Sequence, residues 1–381
     1  MGKAALEISL ALLCCGLNTA AGQSWSLHGQ ASGWFMGNPE HSTAAQFGLR
    51  YIPGLTFQAP VSSVLNTDLD LSLNGYSTIL FAKDQRTEGE SSVKFYRASL
   101  RVASDEFELR AGLQKISFGS AALFRSLMWF DKVDPRDPLQ LTNGVYGLLG
   151  RYYFLNNANI WLWGLSGNDD PKGWELAPTS KRSVEFGGRV QTPLWTGEFG
   201  ATYHHREADF STLPAFPSAP NTTAVPENRF ALDGKWDMGI GAWFEAVLIH
   251  DQTDIPGLTY QRQITLGADY TFDVGNGLSA LVEYFRSDNP DAPFASADGV
   301  TFSALSVNYP LGVLDRLSGV VYRDWTDHEW YRMITWQRSY DNWMIYLLGF
   351  WNPEQIQLYR TQGGRSAFAG TGIQLMVVFN H

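Results

Sequence analysis

Arginines and aspartates supply the most suggestive spacing in this chain. Arg97 and Arg101 share parity on one alternating segment, and Arg110 and Arg151 lie on the two segments that follow. Between them, residues 119–144 carry Asp131, Asp134, Arg136 and Asp137. Fixed charges of both signs at short range break no bonds, but they orient and select charged or dipolar solutes in water. Further along, Glu185, Glu198, Asp233, Glu245, Asp269 and Glu283 alternate with Arg189, Arg229 and Lys235. Two uses of these charges are open. Either they only pair across neighbouring strands and stiffen a wall, or they set up a field across an aqueous passage, Arg-rich on one side and acidic on the other. On the second reading, neutralising Arg97 and Arg101 shifts ion selectivity towards cations.

Other chemistry does not assemble. His204 and His205 are adjacent, so on a strand they point to opposite faces and cannot ligate one metal. The carboxylates of 119–144 lack the calcium-loop pattern with its closing Glu. No Gly-x-Ser-x-Gly stands in a nucleophile-elbow context, and no triad forms around the Ser, His and acidic residues. Gly187-Gly188 and Gly363-Gly364 precede no helix and are not phosphate loops. The chain is read as non-enzymatic, with no cofactor and no metal.

The elements that must hold these charges are strands. In Ser183 to Thr192, Glu185, Gly187, Arg189 and Gln191 fall on one face and Val184, Phe186, Gly188 and Val190 on the other. The same split recurs in Glu227 to Asp237 and in Thr259 to Phe272. Alternation over this length marks strands with one wet and one apolar face, longer than the ~5–6 residues usual in soluble sheets and matching the ~9–11 of tilted transmembrane strands. Such segments recur about 18 times from residue 24 to residue 379, within the range of outer-membrane barrels. The even-numbered connections are mostly tight, as at Ser104-Asp105, Asn156-Asn157 and Met238-Gly239. The odd-numbered ones include the longest, 119–144, 166–181, 206–227, 287–298 and 352–365. This sorting is that of an all-β, antiparallel up-and-down transmembrane barrel of 16–18 strands, with short periplasmic turns and long outer loops.

Composition agrees. Charged residues are 17% where ~25% is usual, aromatic residues reach 14%, and nine of the 14 Trp, among them Trp25, Trp34, Trp325, Trp330, Trp343 and Trp351, lie mostly near strand ends, as in the girdles at bilayer interfaces. Mean hydropathy is only −0.18, without the long apolar runs of a helical membrane protein. Residues 1–22 read as a cleavable signal peptide: Lys3, then an apolar stretch to Leu17, then Ala20-Ala21-Gly22. Both cysteines, Cys14 and Cys15, lie within it, so residues 23–381 form a single barrel domain without a disulfide. The net charge of −10 argues against nucleic acid and against docking on an anionic membrane surface.

With its leader, long alternating strands and aromatic strand ends, the chain resembles a porin-type outer-membrane β-barrel of Gram-negative bacteria over 23–381. Leu109 to Gly119, LRAGLQKISFG, followed by the longest loop, is similar to the Arg-x-Gly-x-Gln strand and inward-folding loop of substrate-specific, alginate-export-like porins. The end departs from the pattern, since Phe379 is followed by Asn380 and His381. The resemblance implies outer-membrane localisation, contact with lipid bilayer and lipopolysaccharide, and association into homo-oligomers. A barrel of 16–18 strands leaves an aqueous lumen. Loop 119–144 carries Leu123, Phe124, Leu127, Met128, Trp129 and Phe130, too apolar for an exterior loop. It is expected to fold inward, pack this part on the wall and set Asp131, Asp134 and Asp137 in open water against the Arg97, Arg101, Arg110 and Arg151 wall; packing over the rim or on a neighbouring subunit is the alternative. The function expected is a channel for passive or facilitated diffusion of small hydrophilic solutes, charged or sugar-like. The alternative is a barrel used as an interaction scaffold, an adhesin or a sheath for a partner.

Overall fold

The computed structural model describes residues 22–39, 43–82, 88–133, 137–213, 223–253, 255, 257–353 and 368–381. The leader 1–21, with all but the last residue of the expected signal peptide, lies outside them. The strands are β1 (Ser24–Gly37), β2 (Thr43–Pro60), β3 (Asn66–Ala82), β4 (Glu88–Ala103), β5 (Phe107–Gln114), β6 (Val145–Tyr153), β7 (Asn159–Ser166), β8 (Val184–Leu194) and β9 (Gly197–Ala208). They continue as β10 (Val225–Asp237), β11 (Gly241–Asp251), β12 (Tyr260–Phe272), β13 (Leu278–Asp288), β14 (Gly299–Pro310), β15 (Asp315–Asp324), β16 (Trp330–Ser339), β17 (Trp343–Trp351) and β18 (Thr371–Asn380). Each pairs antiparallel with its neighbours in sequence, and β1 pairs with β18, so the 18-stranded sheet closes on itself. Among the described residues, no helix is long and apolar enough to cross a membrane.

Side-chain parity follows the alternation. Leu162, Val190, Phe230, Leu232, Leu266 and Val282 are exposed on the outer face, while Arg189, Arg229, Glu245 and Glu283 are buried on the inner one. In a medium without water, every strand N–H and C=O must pair within the protein, and only a closed ring leaves no edge. The ladder continues beyond Phe379: Gly29 and His381 exchange backbone hydrogen bonds of 2.9 and 3.0 Å, and the Tyr51 hydroxyl meets His381 Nε2 at 3.0 Å.

The fifth strand stops short of its sequence pattern. Alternation predicts a strand over 106–118, but β5 ends at Gln114. Ile116 and Phe118 are both buried, in one cluster with Leu127, Trp129 and Phe130, so packing of the following segment overrides period-2 pairing here. Gly112 within β5 has φ +110°, and a Cβ there would lie 2.1 Å from the Ala98 carbonyl oxygen. The position therefore requires glycine. A closed ladder should resist detergent, so the unheated protein should migrate on gels as a compact form that converts on boiling. Gly112→Val should lower the conversion temperature or abolish the compact band. Gly164→Ala, where a Cβ meets nothing within 4 Å, should leave it unchanged.

Candidate pore and constriction site

Segment 119–133 is held by carboxylates on the inner face of β11 and β13. Glu283 accepts the backbone N–H groups of Ala122 (2.6 Å), Leu123 (3.0 Å) and Phe124 (2.8 Å) and the Trp243 indole N–H (3.2 Å). Glu245 accepts from Ala121 (2.9 Å) and Leu127 (3.0 Å), and Ser126 Oγ meets Thr265 Oγ1 of β12 at 2.7 Å. A segment without regular structure has unpaired backbone N–H groups, and two buried carboxylates supply their acceptors. Gly119 (φ +88°) permits the approach, since a Cβ there would lie 2.4 Å from Glu245 Oε1. The apolar side chains fill two clusters on the same wall. Leu123 and Phe124 pack with Phe285, Phe302 and Tyr322, and Leu127, Trp129 and Phe130 pack with Trp163, Val247 and Ile249.

A second loop covers the first. The Trp174 indole donates to the carbonyl oxygens of Phe124 (3.1 Å) and Arg125 (3.3 Å) and stacks on Phe285, and the Gly173 N–H donates to the Asp131 carbonyl (2.9 Å). Glu175 of this loop joins a buried ionic cluster, accepting from Arg229 at 2.7 Å and facing Arg206 at 3.2 Å, while Glu227 accepts from both arginines. The sequence places this connection, 167–183, among the longest but assigns it no role. Its signal was available in the mix of Trp174, Glu175 and Ala177, which is as unsuited to an exposed loop as 123–130.

The expected charges are arranged differently from the sequence reading. Arg101, Arg110 and Arg151 are engaged within the wall itself. They converge on Glu108, with Arg101 Nε at 2.8 Å, Arg110 at 3.1 Å and Arg151 at 3.5 Å, and Arg101 also pairs with Asp68 at 2.6 Å. Strand pairing places Glu108 opposite Arg151 and next to Arg110 and Arg101, so local ion pairs win over a field across the lumen. Arg97 bonds to the Thr142 hydroxyl and to the carbonyls of Thr142 (3.1 Å) and Asn143 (3.3 Å), tying down the end of the loop. Glu185 pairs with His204 at 3.3 Å, and Arg189 holds Asp233 through a double contact of 2.6 and 2.8 Å. Both are buried, so they belong to the wall. Gln114 of the LRAGLQ strand is also buried, donating to the Arg110 and Gly147 carbonyls.

Asp131 departs from the expectation of an aspartate in open water. It is 2% exposed, because one carboxylate oxygen accepts the Gly144 N–H (3.3 Å) and the 167–183 loop lies on its carbonyl. Burial pushes its carboxyl above the usual carboxylate range, against the pull of the Gly144 N–H and of Lys115, Arg97 and Arg125. Asp134 and Arg136 lie outside the described residues. Asp137 accepts the Leu139 N–H (2.9 Å) and lines a cavity of about 220 Å³ together with Arg50.

Arg50 on β2 is the residue that sequence reasoning missed. Its guanidinium lies 5.5 Å from the Trp34 ring and 5.9 Å from the Tyr76 ring, its Nε has no hydrogen-bond partner, and it forms no ion pair among the described residues. It lines both the cavity with Asp137 and a larger polar one of about 720 Å³. Lys94, Tyr96, Asp131, Lys132, Asp169 and Asp170 also line the larger cavity. Among the described residues, no cluster of His, Cys, Asp and Glu is arranged to hold a metal ion.

Fold and site together define a closed β-barrel with two loops packed against one half of its wall and a polar cavity bounded by β2–β4 on the other. No protein-family model matches the chain, and no curated protein matches it in sequence. In structure, the barrel is similar to OmpF of Salmonella typhi, solved in complex with daunomycin (12% identity, TM-score 0.51, covering 94% of this chain and 98% of that one). It is also similar to OccAB4 of Acinetobacter baumannii (9% identity, TM-score 0.56, 96% and 99% covered). The likeness is one of fold, that of the outer-membrane porins.

Two outcomes follow. Replacing Glu283 by Ala leaves three backbone N–H groups without their acceptor, at about 1–3 kcal/mol each. Hydrogen exchange at Ala122–Phe124 should accelerate by about 10-fold or more, with strand amides unchanged. For Asp131, a raised folded pKa means that the folded chain binds the proton more tightly than the unfolded one. Its ionised form therefore opposes folding at neutral pH, and the opposition disappears as pH falls below the ordinary value of about 3.9. Asp131→Asn should thus raise the urea midpoint at neutral pH and leave it unchanged in acid.

Proposed function

We propose that the protein is an outer-membrane channel through which small hydrophilic solutes diffuse, and that segment 119–133 is its constriction. The polar cavity beside Arg50 carries this reading. It is bounded by a wall bearing Arg50 and Lys94 and by a loop bearing Asp169 and Asp170, while Asp137 lines the smaller cavity with Arg50. Opposed charges ~8 Å apart at an effective dielectric of ~20 attract by ~2 kcal/mol, enough to orient a passing dipole without trapping it. Dipolar, polyhydroxylated or singly charged solutes suit such a passage. The fold shared with OmpF and OccAB4 supports a channel over a scaffold. The outer membrane of a Gram-negative cell, lipid and lipopolysaccharide around the barrel, and association into homo-oligomers belong to the same proposal.

Purified protein in a planar bilayer tests it. Discrete conductance steps are expected, and Arg50→Gln should shift the reversal potential in a salt gradient towards cations. Arg101→Gln should shift it far less, because Arg101 is already balanced by Glu108 and Asp68. Absence of conductance would refute the channel, and an unmoved reversal potential in Arg50→Gln would put the path elsewhere.

A further inference from the structure

We propose that the outer face of β15 and β16, at the long-loop end of the barrel, binds the phosphate of a lipid through Arg323 and Arg332. Tyr322 and Tyr331 are buried on the inner face, so their neighbours Arg323 and Arg332 point outward, towards the bilayer. Arg323 is paired in register with Trp330, and Val321 with Arg332, so the two arginines are diagonal neighbours. Both rest on one indole: their guanidinium carbons lie 4.9 and 5.8 Å from the Trp330 ring, and Arg323 lies 5.6 Å from the Trp325 ring.

Neither arginine forms an ion pair among the described residues. Arg323 donates to the His328 carbonyl (2.6 Å) and meets its Nδ1 at 3.4 Å, contacts that leave its charge uncompensated. Asp324 is turned inward and accepts the backbone N–H groups of Thr326 and Asp327, and the turn carboxylates Asp327 and Glu329 pair with neither arginine. Elsewhere on the outer face, cations have protein partners. Arg338, at the opposite end of β16, meets Asp315 at 3.5 Å, and Arg262 and Arg286 share Asp288.

Two guanidinium groups ~7–8 Å apart at their Cβ atoms repel unless an anion lies between them, and a phosphate fits their forked donors. The source of that anion follows from the surroundings. An apolar groove of about 690 Å³ runs along the wall from Arg323, bordered by Leu266, Tyr284, Leu305, Val321, Trp325 and Trp330. Indole rings stand at the headgroup level of a bilayer. A headgroup phosphate between the arginines would lay its acyl chain in this groove. The site is independent of the pore, so lipid retention and conductance can fail separately.

Native mass spectrometry of the full chain in detergent micelles tests the site, with phosphatidic acid as probe and diacylglycerol and inorganic phosphate as comparisons. The wild type should retain phosphatidic acid and neither comparison. Arg323→Gln with Arg332→Gln should weaken retention by roughly 30-fold, and Arg338→Gln should not change it. The compact gel band reports folding of the double variant. If that band is lost, Arg323→Lys with Arg332→Lys serves instead, and it should show partial weakening because the charge stays while the fork goes. Undiminished retention in the folded variant, equal retention of diacylglycerol, or equal binding of inorganic phosphate overturns the proposal.

Discussion

Closure of the backbone ladder between β1 and β18 is the constraint on which the rest of this molecule depends. A strand edge in hydrocarbon would leave a row of N–H and C=O groups without partners, at several kcal/mol each. The ring removes that edge, and the pairing of Gly29 with His381 carries it to the last residue. Closure also divides the residues of every strand into an outer face and a face sealed inside the ring. Only the sealed face can hold Arg206, Glu227, Arg229 and Glu175 together.

That cluster works by mutual compensation. Charges taken out of water are tolerated when each has a geometrically good partner, and removing one partner from such a pair costs about 3–5 kcal/mol. Glu283 and Glu245 use the same logic with peptide N–H groups in place of cations, and so bind an irregular segment as firmly as a strand would. The result is lopsided. From β7 to β14 the inner wall is covered by loops and apolar packing, whereas β2–β4 face a polar cavity.

Local periodicity made the strands legible. Ser183 to Thr192 shows its two faces in ten consecutive residues, and the recurrence of that pattern gave about 18 strands. The apolar run Leu123–Phe130 likewise announced that its loop could not lie in water. Ion pairing was less legible, because it depends on register. Glu108 stands close to Arg110 in sequence, but that Arg151 lies opposite it follows only from how β5 meets β6. Arg50 left no trace for a different reason. It is a single charge among apolar neighbours in sequence, and its companions Trp34 and Tyr76 come from the strands on either side. Asp131 was readable as part of the loop but not as buried, since its cover comes from residues 167–183.

The lopsided interior separates two kinds of inheritance. Residues such as Glu283, Arg229 and Glu227 are bound to several partners at once, so a change in one is tolerated only if others change with it. Arg50 and Lys94 bear on the cavity, and among the described residues neither forms an ion pair with another strand. Descendants of such a barrel can therefore diverge one residue at a time along β2–β4 while the opposite wall drifts only in concert. Within a lineage, the history of the cavity should be written in single substitutions, and that of the covered wall in matched sets.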